Sequence, residues 1–143
     1  MFSRMIKNII TDSATGHSVK VTSIGQLVTS PYAYSEVTYL LLDTAAQGYT
    51  FFKPKSGEQF VLTGFGLTAD SNVVTSCVVD IYESAAQNSA TIAKSIFHFE
   101  ILKNGYRDSS GLNVLISEGV FLNAKTDDDD VYCTILGYYI PKL

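Results

Sequence analysis

The run Asp127-Asp128-Asp129-Asp130 is the sharpest charge feature of the chain. Oxygen donors at that density are what calcium takes as ligands. No Gly lies inside the run, and no Glu follows at the spacing of a calcium loop. The reading it supports is a solvated hairpin tip, whose acidity suits contact with a basic partner surface. His98 and Glu100 stand two apart, on one face of a strand, and could share a site. Flanked by Phe97 and Phe99, His98 fits a packed or hydrogen-bonded imidazole better than a base or a metal ligand. His17 is the only other histidine, which argues against a histidine-based metal centre. A Ser–His–Asp arrangement is defined by geometry, and nothing selects one serine among many. A glycan hydrolase would need paired carboxylates at a cleft. Asp80, Glu83, Glu100 and Glu118 are the candidates, and none carries a supporting signature. The sequence therefore predicts no catalytic residue, no metal and no cofactor.

The tyrosines are the other residues with binding chemistry. Tyr32, Tyr34, Tyr39, Tyr138 and Tyr139 could stack on a carbohydrate or anchor a subunit interface. Adjacent strand residues point to opposite faces, so Tyr138 and Tyr139 face apart.

These residues must be positioned by strands. The 143 residues suffice for one domain with its own core. Hydrophobic residues make up 46% and charged ones 17%, which argues against disorder. No apolar run reaches the length of a membrane span. The net charge of −4 lacks the basic footprint of a nucleic-acid binder. Met1 to Asn8 has no long apolar h-region, so synthesis and assembly in the cytosol are expected. Cys77 and Cys133 are too few for a disulfide framework, and each falls on an apolar alternation that suits a buried thiol.

Residues 1–46 read as an N-terminal arm. Ile6 to Ile10 suggests a short extended piece, and Lys20 to Val28 a small hairpin. Pro31 keeps the segment around it from being a central strand. Glu36 to Ala46 fits an edge strand or a helical turn. The arm is too small for its own core and is expected to pack on the body or on a neighbouring subunit.

Residues 47–143 read as the body. Tyr49–Phe52 precedes a Pro54/Gly57 turn. Gln59–Thr68 places Phe60 and Leu62 opposite Val61 and Phe65, with Gly64 and Gly66 marking a bulge or close backbone approach. Cys77, Val79 and Ile81 alternate with Val78, Asp80 and Tyr82. Phe97, Phe99 and Ile101 alternate with Ile96, His98, Glu100 and Leu102. Ser84–Thr91 is a small-residue loop that could close as a helical turn. The segments Leu112–Asn123, broken at Ser117-Glu118-Gly119, and Val131–Ile140 complete the set. Short strands between turn signals predict an all-β sandwich or barrel, and the length favours a jelly-roll-like β-sandwich of about eight strands.

Several runs carry a resemblance. They are Asp12-Ser-Ala-Thr-Gly-His-Ser-Val-Lys-Val, Gly25-Gln-Leu-Val, Pro31-Tyr-Ala-Tyr-Ser, Phe51-Phe-Lys-Pro-Lys-Ser-Gly-Glu-Gln-Phe-Val-Leu-Thr and Val79-Asp-Ile-Tyr-Glu. Lys94-Ser-Ile-Phe, Gly111-Leu-Asn-Val-Leu-Ile-Ser-Glu-Gly, Asn123-Ala-Lys-Thr-Asp-Asp and Ile135-Leu-Gly-Tyr-Tyr-Ile continue it. Together the chain resembles small virion structural proteins of tailed bacteriophages, of the head-decoration (cement) type with a jelly-roll body. The resemblance lies in overall pattern and contains no catalytic motif. It implies a non-enzymatic capsid-decorating protein in the virion, a homotrimer partnered by the major capsid protein, with no nucleic acid or membrane contact. The competing expectation is a fibre or tail jelly-roll module that binds a host receptor or glycan.

Overall fold

The structure is a computed structural model and describes residues 36–142. The extended piece and small hairpin expected before residue 30, together with Tyr32 and Tyr34, lie outside the described residues.

Among the described residues eight strands follow one another: β1 (Glu36–Leu42), β2 (Tyr49–Phe52), β3 (Glu58–Ala69), β4 (Ser76–Ser84), β5 (Lys94–Leu102), β6 (Tyr106–Ile116), β7 (Phe121–Thr126) and β8 (Val131–Pro141). They form two antiparallel sheets, ordered β1-β8-β3-β6 and β2-β7-β4-β5. Only β4 and β5 are both consecutive in the chain and paired. Every other connection crosses from one sheet to the other, which is the strand order of a jelly roll. The eight-stranded jelly-roll sandwich expected from the sequence is the fold observed.

Period-2 alternation sets the inner faces. Cys77, Val79 and Ile81 of β4 point inward, as do Val131, Cys133 and Ile135 of β8, all at most 1% exposed. They meet Phe60, Leu62, Phe65 and Leu67 of β3 and Leu122 and Ala124 of β7 in one core. Two aromatic groups extend it. Phe52, Phe60 and Tyr139 lie with ring centroids 4.4–5.9 Å apart. Phe65, Phe97 and Phe99 lie 4.9–5.6 Å apart. Gly137 is required by the first group, since a Cβ there would sit 2.2 Å from the Val61 carbonyl oxygen and 2.5 Å from the Phe60 ring.

Two expectations are corrected, and two segments the sequence left open are resolved. Phe65 shares the inward face with Phe60 and Leu62 instead of opposing them, because the register shifts between Leu62 and Gly64 and the extra residue of the bulge reverses the parity. The stretch Tyr106–Gly111, assigned to no element from the sequence, is the first half of β6. It is a polar edge half with no apolar alternation, held by pairing to β3. Of the edge strand or helical turn expected for Glu36–Ala46, the edge strand is observed: Glu36–Leu42 pairs along its length with β8 and forms the outer strand of the first sheet. Asp127–Asp130 is not a hairpin tip: β7 and β8, on either side, belong to different sheets.

Candidate functional site

The four aspartates bind three loops together at one end of the sandwich. Asp127 Oδ1 accepts the Val78 N–H at 2.6 Å, and Asp128 Oδ2 accepts the Val74 N–H at 3.0 Å. Asp129 Oδ1 accepts the Ala45 N–H at 2.9 Å, and Asp130 Oδ2 takes a bond from the Asn72 amide. The donors Val74 and Ala45 come from the β3–β4 and β1–β2 loops, so the run works as a bank of acceptors for backbone groups that the sheets leave unpaired. Donation from Val74 and Asp129 holds the Asp128 carboxyl below the usual carboxylate range. Asp43 is lowered likewise by the Tyr49 hydroxyl, and Asp70 by the Ser71 N–H. Among the described residues, no three His, Cys, Asp or Glu side chains are grouped to hold a metal ion.

The second sheet carries the charged outward face. Asp80 pairs across the strands with His98 on one side and Lys125 on the other, giving a row Lys125–Asp80–His98. His98 Nδ1 lies 2.6 Å from Asp80 Oδ1, while two thirds of the imidazole side chain (67%) stays exposed. Glu100, the next outward residue of β5, accepts from Ser76 Oγ at 2.8 Å. His98 and Glu100 thus share a face but not a partner. A cavity of about 310 Å³ lies beside this row, lined by Ala46, Val78, Asp80, Lys125, Thr126 and Asp127. The remaining carboxylates are engaged elsewhere. Glu83 accepts the Ser117 N–H at 3.3 Å and lies 3.7 Å from Lys94 Nζ. Glu118 accepts the Gly57 N–H at 2.8 Å and pairs with Lys142 at 2.6 Å. No two of the four candidates converge on the cavity, whose lining includes Asp80 alone among them.

The other half of this face is covered. The β4–β5 loop folds over the row Thr50–Asn123–Tyr82 and is held there by a polar hub the sequence reading missed. Asn123 is fully buried. Its Oδ1 accepts from Thr50 Oγ1 at 2.7 Å, and its Nδ2 donates to the carbonyls of Ala86 and Ser89 at 3.2 and 3.1 Å. Tyr82 Oη donates to the same Ser89 carbonyl at 2.7 Å, and burial pushes its phenol up to about 12. The loop is a set of turns rather than the helical turn it could have formed. An asparagine inside the apolar run Phe121-Leu122-Asn123-Ala124 was the available signal, since a buried amide must find partners.

The first sheet presents the opposite character. Tyr39 is 55% exposed and stacks on Tyr132 with ring centroids 6.0 Å apart. Val37, Tyr106, Leu115 and Leu136 are exposed on the same outward face. Of the candidate tyrosines, Tyr138 pairs with Val61 on this face, and Tyr139 turns inward against Phe52 and Phe60. The outward-facing tyrosines brought together are therefore Tyr39 and Tyr138 with the unforeseen Tyr132 and Tyr106. Gly66 bares the backbone between them, because a Cβ there would meet nothing within 4 Å.

Both cysteines are free and buried, and burial pushes the Cys133 thiol up to about 12. No protein-family model and no curated protein matches this chain.

Proposed function

We propose that this chain is a non-enzymatic virion structural protein that decorates a phage capsid and stabilises it by binding across neighbouring capsid subunits. The observation that supports this reading is the outward face of the first sheet. In an isolated antiparallel sandwich that face should alternate to polar side chains, yet it exposes Val37, Tyr39, Tyr106, Leu115 and Leu136. Aromatic enrichment with few charges suits a protein interface. The carboxylates meanwhile tie down loops, which suits a rigid building block better than a reaction centre. The acidic end formed by Asp43, Asp70 and Asp127–Asp130 offers a second surface, complementary to a basic patch on a capsid subunit.

The test is co-sedimentation of the purified chain with capsids of the parent phage assembled without it. Saturable binding, with capsids that withstand more heat or chelator once decorated, is the expected result. Absence of binding at tens of micromolar refutes the decoration role. The second reading, a fibre or tail module for a receptor glycan, is favoured by the exposed Tyr39 ring beside the open backbone at Gly66, with Thr134 and Asp108 paired to that residue. Binding to a glycan array that Tyr39→Ala abolishes would replace the first reading with this one.

A further inference from the structure

We propose that the outer edge of β5 is a docking site for an extended, basic segment of another protein, which joins the β2-β7-β4-β5 sheet as an added strand. Neither the capsid nor the glycan reading uses this edge, so the inference stands apart from both.

Backbone parity leaves the edge unpaired. β5 is the outer strand of its sheet and pairs with β4. Val78 of β4 turns its N–H and its carbonyl to Asp127, on the β7 side. Its neighbour Val79 therefore turns to β5 and exchanges hydrogen bonds with Phe99, its partner in the register. The N–H and carbonyl groups of His98 and Glu100 then point away from β4, and among the described residues nothing bonds to them. Donors and acceptors alternating along an edge are what another strand pairs with. Two of the other outer strands are blunted. β2 is only four residues long, and its Thr50 N–H is taken by the Asn88 side chain. β6 is interrupted by a register shift and by Gly111, at a φ of 70°. β5 has nine residues, and its register is unbroken from Phe97 to Leu102.

Side chains specify the added strand. Phe97 and Phe99 point inward against Phe65, yet both are only half-buried, because no strand flanks them on the open side. Alternate side chains of an added strand would lie over these rings, which calls for apolar residues there. On the outward face the same strand meets His98 and Glu100, with Asp80 behind His98. Opposite charges make the favourable cross-strand pair, so lysine or arginine fits opposite Glu100. A segment that alternates apolar and basic residues satisfies backbone, rings and charge together. A second copy would instead bring Glu100, Asp80 and a further net charge of −4 to the same edge.

The test uses the full chain and a fluorescein-labelled peptide that alternates valine and lysine. Anisotropy should show saturable binding at tens of micromolar. The amide protons of His98 and Glu100, fast to exchange in the chain alone, should become protected once the peptide is present. Glu100→Lys should weaken binding about tenfold, because a favourable cross-strand pair becomes a like-charge one. N-methylation of the peptide at its lysines removes the donors to the His98 and Glu100 carbonyls, leaves the protein untouched, and should abolish binding. Binding that survives N-methylation, or that protects amides of the first sheet instead, overturns the inference. So does absence of binding. Protection of His98 and Glu100 in the chain alone also overturns it, since the chain's own remaining residues or a second copy would then fill the edge.

Discussion

Replacing Asn123 with alanine removes the anchor of the β4–β5 loop, and the structure sets the size of the loss. Three hydrogen bonds disappear, one from Thr50 Oγ1 and two to the carbonyls of Ala86 and Ser89. Two of the three partners are partly compensated. Ser89 keeps the Tyr82 hydroxyl, and Thr50 Oγ1 keeps the Asn88 N–H at 2.7 Å. The Ala86 carbonyl loses the bond it makes to Asn123. At about 1 kcal/mol per net bond, with a further cost if that acceptor stays dry, the expected loss is about 3 kcal/mol. For a chain of this size that corresponds to a fall in Tm of roughly 10 °C. Urea unfolding followed by circular dichroism and tyrosine fluorescence measures it directly, since the chain has no Trp. Limited proteolysis should show new cleavage within residues 85–93. Asn88→Ala, which removes the single exposed bond that its Oδ1 accepts from the Thr50 N–H, serves as the control and should cost less than half as much. A loss below about 1 kcal/mol for Asn123→Ala, or an equal loss for Asn88→Ala, would refute the assignment of Asn123 as the buried anchor.

Four further outcomes follow from the loops and the core. Asp128→Ala should lower Tm clearly, whereas Asp128→Asn, whose amide oxygen still accepts the Val74 N–H, should lower it less. Calcium or EDTA should leave Tm unchanged in scanning calorimetry, and a calcium-dependent rise would return the aspartate run to metal binding. The Glu118 carboxyl is held down from 4.5 to about 2, chiefly by the Lys142 ammonium and then by the Gly57 N–H. A depressed folded pKa gives stability that is present above the unfolded value and is lost as pH falls through the folded one. Thermal melts from pH 5 to pH 2 should therefore fall less steeply for Glu118→Gln than for the wild type, and parallel curves would contradict the pairing. Cys77 and Cys133 should react with a thiol reagent only at the rate of unfolding, because both are buried and burial raises both thiols. Rapid labelling in native buffer would show that the sandwich opens around β4, for Cys77, or β8, for Cys133.

The amino-acid sequence determined by itself whatever depends on neighbours along the chain. The alternation through Cys77-Val78-Val79-Asp80-Ile81-Tyr82 and through Phe97-His98-Phe99-Glu100-Ile101 assigns inward and outward faces, because successive strand side chains point to opposite sides. Turn residues before Gly57, Gly105 and Gly119 mark strand ends, and the opposed directions of Tyr138 and Tyr139 follow from the same period. What depends on partners distant in the chain needed the tertiary structure. Phe65 faces inward because a bulge in β3 is accommodated against β6 and β8. Tyr106–Gly111 is a strand because β3 supplies its hydrogen bonds, although its own side chains carry no apolar period. Asn123 became an anchor only when a loop thirty-odd residues upstream folded over it. The same holds for the two surfaces on which the proposed function rests. The aspartate run reads as free charge until its carboxylates meet the loops that donate to them. Val37, Tyr39, Tyr106, Leu115 and Leu136 form one face only after strands far apart in sequence pair side by side, since a sheet is assembled by non-local hydrogen bonds that no local pattern encodes.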